Sequence, residues 1–352
     1  INYLDSKRIS GTTADRNGTP AVSGGWKELG RTTLGSTGDT IDVSSLADKR
    51  YYMVLTNPIM NGSTPQTSFR MGNGSADTGA NYSWREERDG ATDVTGVNAN
   101  WQTLVGYTAG NAMDFAVLNI ANVSGKEKLT TSQSVYGVTG AANAPHRTLN
   151  VGKWANTSNP IDVLQTYNSY LSEYAIGSEM VVLGWDPTDT HTTNFWEELA
   201  SVTLGSAGST IDSGTITAKK YLWFQIFNGG LSSSGVTGIR FNSDGSNNYA
   251  ERRSGNGGSD VTGTSRPVLN LVHTGTTTPQ FSNCFVINNS SNEKLVISHS
   301  VSQNTAGAGT APNRSECADK WANTSSQITS VQAIASVGNF PSGSILKVWG
   351  SN

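Results

Sequence analysis

The chain has 352 residues, enough for two domains of ordinary size that each bury a core of their own. Charged residues make up only 14% and the net charge is −3, so the basic footprint of a nucleic-acid binder is missing and an anionic membrane is a poor partner. Nor is there an apolar run long enough to cross a bilayer as a helix. Ser, Thr, Asn and Gly replace the missing charge, a composition suited to all-β proteins outside the cell or on particle surfaces.

Residues 1–25 are rich in Gly, Thr, Ser and Asp and read as an N-terminal arm or linker. Their INYLDSKRISGTTADR opening lacks the apolar core of a secretory signal. From Trp26 onward the chain repeats itself. WKELGRTTLGSTGDTID (26–42) matches WEELASVTLGSAGSTID (196–212) at eleven of seventeen positions. NYSWREERDGATDVTG (81–96) faces NYAERRSGNGGSDVTG (248–263), and APHRTLNVGKWANTS (144–158) faces APNRSECADKWANTS (311–325). Constant order and nearly constant offset mark a duplication of domain-sized units, larger than the units of a solenoid. Copy one is expected over 26–185 and copy two over 195–352, with the Pro/Asp/Thr-rich segment 186–194 as a short linker holding two rigid domains apart.

Apolar periodicity predicts strands at 40–43, 51–56, 115–120, 128–135 and 179–185 in copy one. In copy two they fall at 221–227, 284–289, 294–301 and 345–350. KLVISHSV (294–301) alternates, implying one buried and one wet face; YYMVL and YLWFQIF are continuously apolar, as central strands would be. Turn-forming GSTGD, GNGSADTG, SDGSNN and GNGGSD separate the strands, and no apolar stripe has helical period. The expected fold is all-β: two tandem jelly-roll or β-sandwich domains related by duplication.

The W-x-E-L-x-x-x-T-L-G-S-x-G-x-T-I-D opening, paired with the later K-W-A-N-T-S block and the N-terminal arm, resembles virion-surface proteins of marine tailed bacteriophages. These are tail-fibre or capsid-decorating appendage chains with tandem β-sandwich repeats. The resemblance covers nearly the whole sequence. It implies a β-sandwich exposed on a particle, as a structural or host-contacting component, and supplies no catalytic residue.

A catalytic set is not evident. Of the four histidines, His146 stands opposite Asn313, His299 opposite Ser134 in a pairing by the shared KL dipeptide, His191 lies in the linker and His273 has no clear partner. No metal-binding spacing, nucleophile elbow or phosphate loop occurs, and no cofactor is expected. Asp93 and Asp260, in the shared DVTG, are expected to accept backbone N–H groups in a turn, as are Asp42 and Asp212. NSDGSNN (242–248) loosely resembles a Ca²⁺ loop but lacks the terminal bidentate Glu. Cys284 and Cys317 have no counterparts in copy one and are expected to be free thiols. Lys153–Trp154 and Lys320–Trp321 are expected to pack, with the Trp in the core and a cation over it.

Candidate contact residues come from two patterns. Arg85 and Arg252 recur in both copies. Trp84, Trp101, Tyr107, Tyr167, Tyr170 and Tyr174 are peculiar to copy one, with Glu251 opposite Trp84. Planar aromatics with arginine make binding hot spots and can stack on sugars. The function expected is therefore non-enzymatic: a virion-surface structural protein, extracellular, joined through its arm to copies of itself (a trimer if a fibre) and to other virion proteins, with host glycans as a further partner. A carbohydrate-binding adhesin or lectin and a self-assembling filament subunit are the alternatives.

Overall fold

The computed structural model describes residues 22–23, 25–62, 66–106, 113–170, 173–191, 193–302 and 307–352. Most of the arm (1–21 and 24) and Tyr107 lie outside them. The described residues contain strands, turns and no helix. Copy one has an eight-stranded antiparallel sheet, in spatial order Lys27–Thr33, Glu179–Trp185, Tyr51–Asn57, Phe115–Ala121, Lys128–Tyr136, His146–Trp154, Tyr82–Arg88 and Val94–Ala99. Copy two repeats the order with Glu197–Thr203, Ile345–Ser351, Tyr221–Asn228, Gln280–Ile287, Lys294–Ser302, Asn313–Trp321, Tyr249–Gly255 and Val261–Arg266. A smaller sheet covers the inner face of each large one: Gln102–Thr103, Thr67–Asn73, Val163–Asn168 and Thr40–Val43 in copy one; Leu269–Asn270, Thr237–Phe241, Val331–Ala335 and Thr210–Asp212 in copy two. The protein is thus all-β, with two tandem β-sandwiches of the same topology.

Each sandwich encloses a core anchored by a duplicated Trp and Tyr pair. Trp154 and Tyr82 in copy one, and Trp321 and Tyr249 in copy two, are fully buried. The Trp154 indole donates to Asp77 (2.7 Å) and the Trp321 indole to Asp244 (2.8 Å). Those bonds, with others from Asn81 and Asn248, hold both carboxyls below the usual carboxylate range although burial pushes the other way. Asp244 also accepts from the Ser246 N–H, so the loop that resembled a Ca²⁺ site is an indole-capping turn. The cation above Trp321 is Lys294, at 6.0 Å, and not its neighbour Lys320.

The two copies are not held apart. A third core lies between the outer faces of the large sheets, where Met53, Leu55, Phe115, Val135, Val181 and Leu183 of copy one pack on Phe195, Tyr221, Ile287, Leu295, Ile297 and Ala318 of copy two. This explains the continuously apolar run Tyr51–Asn57, which is buried on both faces because a second sandwich covers the outer one; Tyr221–Asn228 is covered on its outer face at Tyr221, while Trp223 and Gln225 stay half-buried and Phe227 is exposed. At roughly 1.5–3 kcal/mol for each large apolar side chain so buried, the seam contributes substantially to stability. Linker residues Thr190–His191 pair with Val22–Ser23 of the arm.

Lys294–Ser302 departs from the expected alternation. Leu295 and Ile297 face the other copy and are buried, while at the far end Ser298, Ser300 and Ser302 point inward and Val301 points to solvent. Of the inward hydroxyls, Ser300 is satisfied by a 2.8 Å bond to Ser282 on the neighbouring strand. Cys284 and Cys317 flank Ser298 on adjacent strands and are free.

The candidate inter-copy cleft

Polar chains from both copies stitch one margin of the seam. Arg147, buried at the start of its strand, donates to Asp260 of copy two (2.7 Å) and to Glu87 (3.0 Å). Arg252 answers from copy two, donating to the Pro145 carbonyl (2.7 Å) and pairing with Asp89 (3.2 Å). Asp89 further accepts from the Arg147 N–H (2.9 Å) and faces His146 Nδ1 at 2.6 Å. Burial alone would raise the Asp89 carboxyl, but these partners hold it below the usual range. On the opposite margin Glu179 accepts from the Tyr221 hydroxyl (2.7 Å) and pairs with Lys220 (2.9 Å), both in copy two. Asp260 is therefore an inter-copy anchor and not a turn acceptor; its counterpart Asp93 pairs with Arg85 at 3.2 Å.

Beyond the seam the two faces part, leaving a cleft of about 670 Å³ lined from both copies. Copy one contributes Arg85, Asp93, Asn119, Thr131, Gln133 and Val151, and copy two Asn283, Phe285, His299, Arg314 and Glu316. These are the outward residues of neighbouring strands, so pairing places Asn283 beside His299 and Thr131 beside Asn119 and Val151. From the Phe285 wall a row of rings runs across three strands. Phe285 and Trp223 are near-parallel (5.9 Å, 11°), Trp223 stacks on Trp349 (4.6 Å, 25°), and Trp196 leans on Trp223 (5.8 Å). The Trp223 indole and the Gln225 amide both donate to Asn283 Oδ1 (2.7 and 3.0 Å), tying the ring row to the polar floor.

The cleft carboxylates are all ion-paired: Asp93 with Arg85, Glu87 with Arg147, Glu86 with Arg88, and Glu316 with Arg314 (3.5 Å) and Arg147 (3.6 Å). Burial raises Glu87 despite the adjacent Arg147 guanidinium. Among the described residues no cluster of three or more His, Cys, Asp or Glu could hold a metal.

The residues singled out in the sequence scatter. Arg85 lines the cleft and Arg252 is spent on the seam. Trp84 turns the other way and lies over Gly96, where even a Cβ would come within 2.3 Å of the indole; Glu251 lies over Gly263 in the same manner. Tyr174 is fully buried in the copy-one core and corresponds to Phe340, so it is no contact residue. Trp101 and Tyr167 meet at the small sheet, away from the cleft, and Tyr170 is exposed just past that sheet's Val163–Asn168 strand. Trp196, Trp223, Phe285 and Trp349 were missed because they looked like core. The available signal was that Trp223, Phe285 and Trp349 replace Met53, Asn119 and Leu183 of copy one.

No protein-family model and no curated protein matches the chain. Among solved structures it has a faint likeness to domains LG4-5 of the mouse laminin alpha1 chain, with 10% identity over 90% of this chain and 89% of that one, and a TM-score of 0.19. Another such likeness is to Ail, the attachment invasion locus protein of Yersinia pestis, with 4% identity over 78% of this chain and 98% of that one, at 0.14. Scores this low reflect a shared richness in strands and assign neither family nor ligand.

Proposed function

We propose that the protein binds without catalysing, and that its inter-copy cleft takes a neutral, hydroxyl-rich polymer of the glycan class. The observation that carries this reading is the Phe285–Trp223–Trp349 row joined through Asn283 to an amide, hydroxyl and imidazole floor. Phe285, backed by the stacked Trp223 and Trp349, gives the cleft an apolar wall for sugar C–H groups, while Asn283, Gln133, Thr131 and His299 can exchange hydrogen bonds with hydroxyls. Mixed, mutually neutralised charge disfavours nucleic acid and phosphate polymers. The ion pairing of the cleft carboxylates supports binding over acid–base work, since a general acid or base must be free to exchange its proton.

The setting we propose is an extracellular particle surface, as a virion appendage or fibre. The weakly charged Ser/Thr/Asn/Gly composition and the duplicated, helix-free architecture support it. A glycan array probed with the full chain tests the binding reading. The expected result is a defined set of bound glycans, lost in Phe285→Asn, which places copy one's Asn119 type in the cleft wall. An array with no bound glycan, or binding indifferent to Phe285→Asn, would overturn it.

A further inference from the structure

We propose that the small sheet of copy one carries a second saccharide-binding site, a pyranose platform made by Trp101 and Tyr167 beside Arg70, Gln165 and Asp42. It shares its ligand class with the cleft reading but rests on different residues and on a comparison internal to the molecule.

The polar part of this surface is present in both copies. Arg70 donates to Gln165 Oε1 (3.1 Å) and to the Asn100 carbonyl (3.1 Å), and Gln165 donates to Asp42 Oδ1 (2.7 Å). In copy two, Arg240 donates to the Pro267 carbonyl (3.0 Å) and Gln332 to Asp212 Oδ2 (2.7 Å). The Arg, Gln and Asp row is thus part of the sheet's own construction, which places a carboxylate, an amide and a guanidinium on the outer face.

The rings are different. Where copy one has Trp101 and Tyr167, copy two has Val268 and Ile334 at the same places of the same sheet. Since copy two folds on aliphatic side chains, the fold does not require aromatic ones. Trp101 and Tyr167 meet at a 61° angle with centroids 6.1 Å apart, and Arg70 lies 3.9 Å over the Tyr167 ring. The guanidinium fixes the tyrosine and leaves the two rings as an angled corner. An angled pair of rings bordered by Asp42, Gln165 and Arg70 has the chemistry of a sugar site: a face for axial C–H groups, and acceptors and donors for equatorial hydroxyls.

The platform lies on the small sheet and the cleft on the outward face of the large one, so the copy-one sandwich stands between them. Two stacked sheets put the sites more than about 10 Å apart. One saccharide cannot fill both, and each can be removed alone.

Saturation-transfer NMR with the methyl glycosides of glucose, galactose, mannose and N-acetylglucosamine tests this on the full chain. The background is Phe285→Asn, which disables the cleft if the cleft binds sugar. The platform variant is Trp101→Val with Tyr167→Ile, which installs the residues copy two already carries, and its thermal unfolding is checked against the parent. The expected result is transfer to at least one glycoside in the Phe285→Asn protein, reduced tenfold or more when the platform pair is added (about 1.4 kcal/mol). No transfer in the Phe285→Asn protein, or equal transfer with and without the platform pair, overturns the proposal. Phe285→Asn measured against the unaltered chain reports on the cleft separately, so either site can fail without the other.

Discussion

Arg147 and Arg314 hold the same position in the duplicated unit, and the structure uses them oppositely. The Arg147 side chain is 2% exposed and bonded across the seam to Asp260; that of Arg314 is 52% exposed and pairs with Glu316 of its own copy. The same inversion runs along the sheet. Phe115 and Val135 are buried while Phe281 and Val301 face solvent; Leu295 is buried while Leu129 is exposed. The copies therefore meet through different patches, and the faces that part beyond the seam create the cleft.

Replacing Arg147 with Ala takes from the buried Asp260 carboxylate its 2.7 Å guanidinium partner and leaves Arg252 at 3.8 Å. Breaking one partner of a buried pair costs about 3–5 kcal/mol. Arg314→Ala, at the equivalent exposed site, should change stability by no more than about 0.5 kcal/mol. Equilibrium denaturation of both variants measures the contrast, and similar losses would show that the seam contributes little.

Asp319 makes a different prediction. It stands where copy one has Gly152, a glycine whose Cβ would meet Gln102 Oε1 at 2.1 Å; copy two has the apolar Leu269 at the Gln102 position. The carboxyl is fully buried with no hydrogen bond to either oxygen among the described residues. Burial, reinforced by Glu251 and opposed by Arg253, pushes its pKa well up. A carboxyl raised in the fold costs nothing while both states are protonated, below about pH 4. Above that the unfolded chain ionises and the fold does not, so stability falls as pH rises toward the folded value. Asp319→Asn should remove this decline, with a slope difference of up to about 1.4 kcal/mol per pH unit. Parallel stability–pH curves for the two proteins would refute the account.

The seam explains which parts of this molecule were legible in the sequence. Continuous apolar runs at Tyr51–Asn57 and Tyr221–Asn228 announced central strands correctly, yet for Tyr51–Asn57 the reason was a neighbouring sandwich that no local pattern names, and the outward Trp223 and Phe227 of the other run stay half-buried and exposed. The strands His146–Trp154 and Asn313–Trp321 escaped notice because they carry Arg147, Glu316, Asp319 and Lys320, charges that read as surface until their burial at the seam or within the core is known. The inward Ser298, Ser300 and Ser302 misled the period-two reading in the same way, since small hydroxyls are buried on the core face, where Ser300 bonds to Ser282 on the next strand. Of the candidate contact residues, Arg85, Trp101, Tyr167 and Tyr170 fell on accessible surfaces, while Tyr174 and Arg252 were absorbed by packing.

Asp89 should make the seam acid-sensitive. Its pKa is held down by His146, the Arg147 N–H and Arg252 against the raising effect of burial. A depressed carboxyl contributes stability above the unfolded pKa near 4 and loses it as pH falls through the folded value. Asp89→Asn should therefore be less stable than the parent at neutral pH, and the two proteins should converge at the acid end. A gap that persists undiminished at low pH would assign the loss to packing and not to the charge.

The cysteines give a prediction with a sharp reading. Cys284 and Cys317 both pair against Ser298, from opposite sides, so they sit two strands apart on one sheet. Two strand spacings are about 9.5 Å, and a disulfide requires Cα atoms within about 7 Å. Burial is also the leading cause that pushes both thiols well above their ordinary pKa, leaving almost no thiolate to react. A thiol-exchange reagent at neutral pH should label neither cysteine in the native protein and both after denaturation, and mild oxidant should leave the native protein's two thiols intact. Rapid native labelling would show that the Gln280–Ile287 and Asn313–Trp321 strands open on the timescale of the assay, and a spontaneous disulfide would contradict the strand order itself.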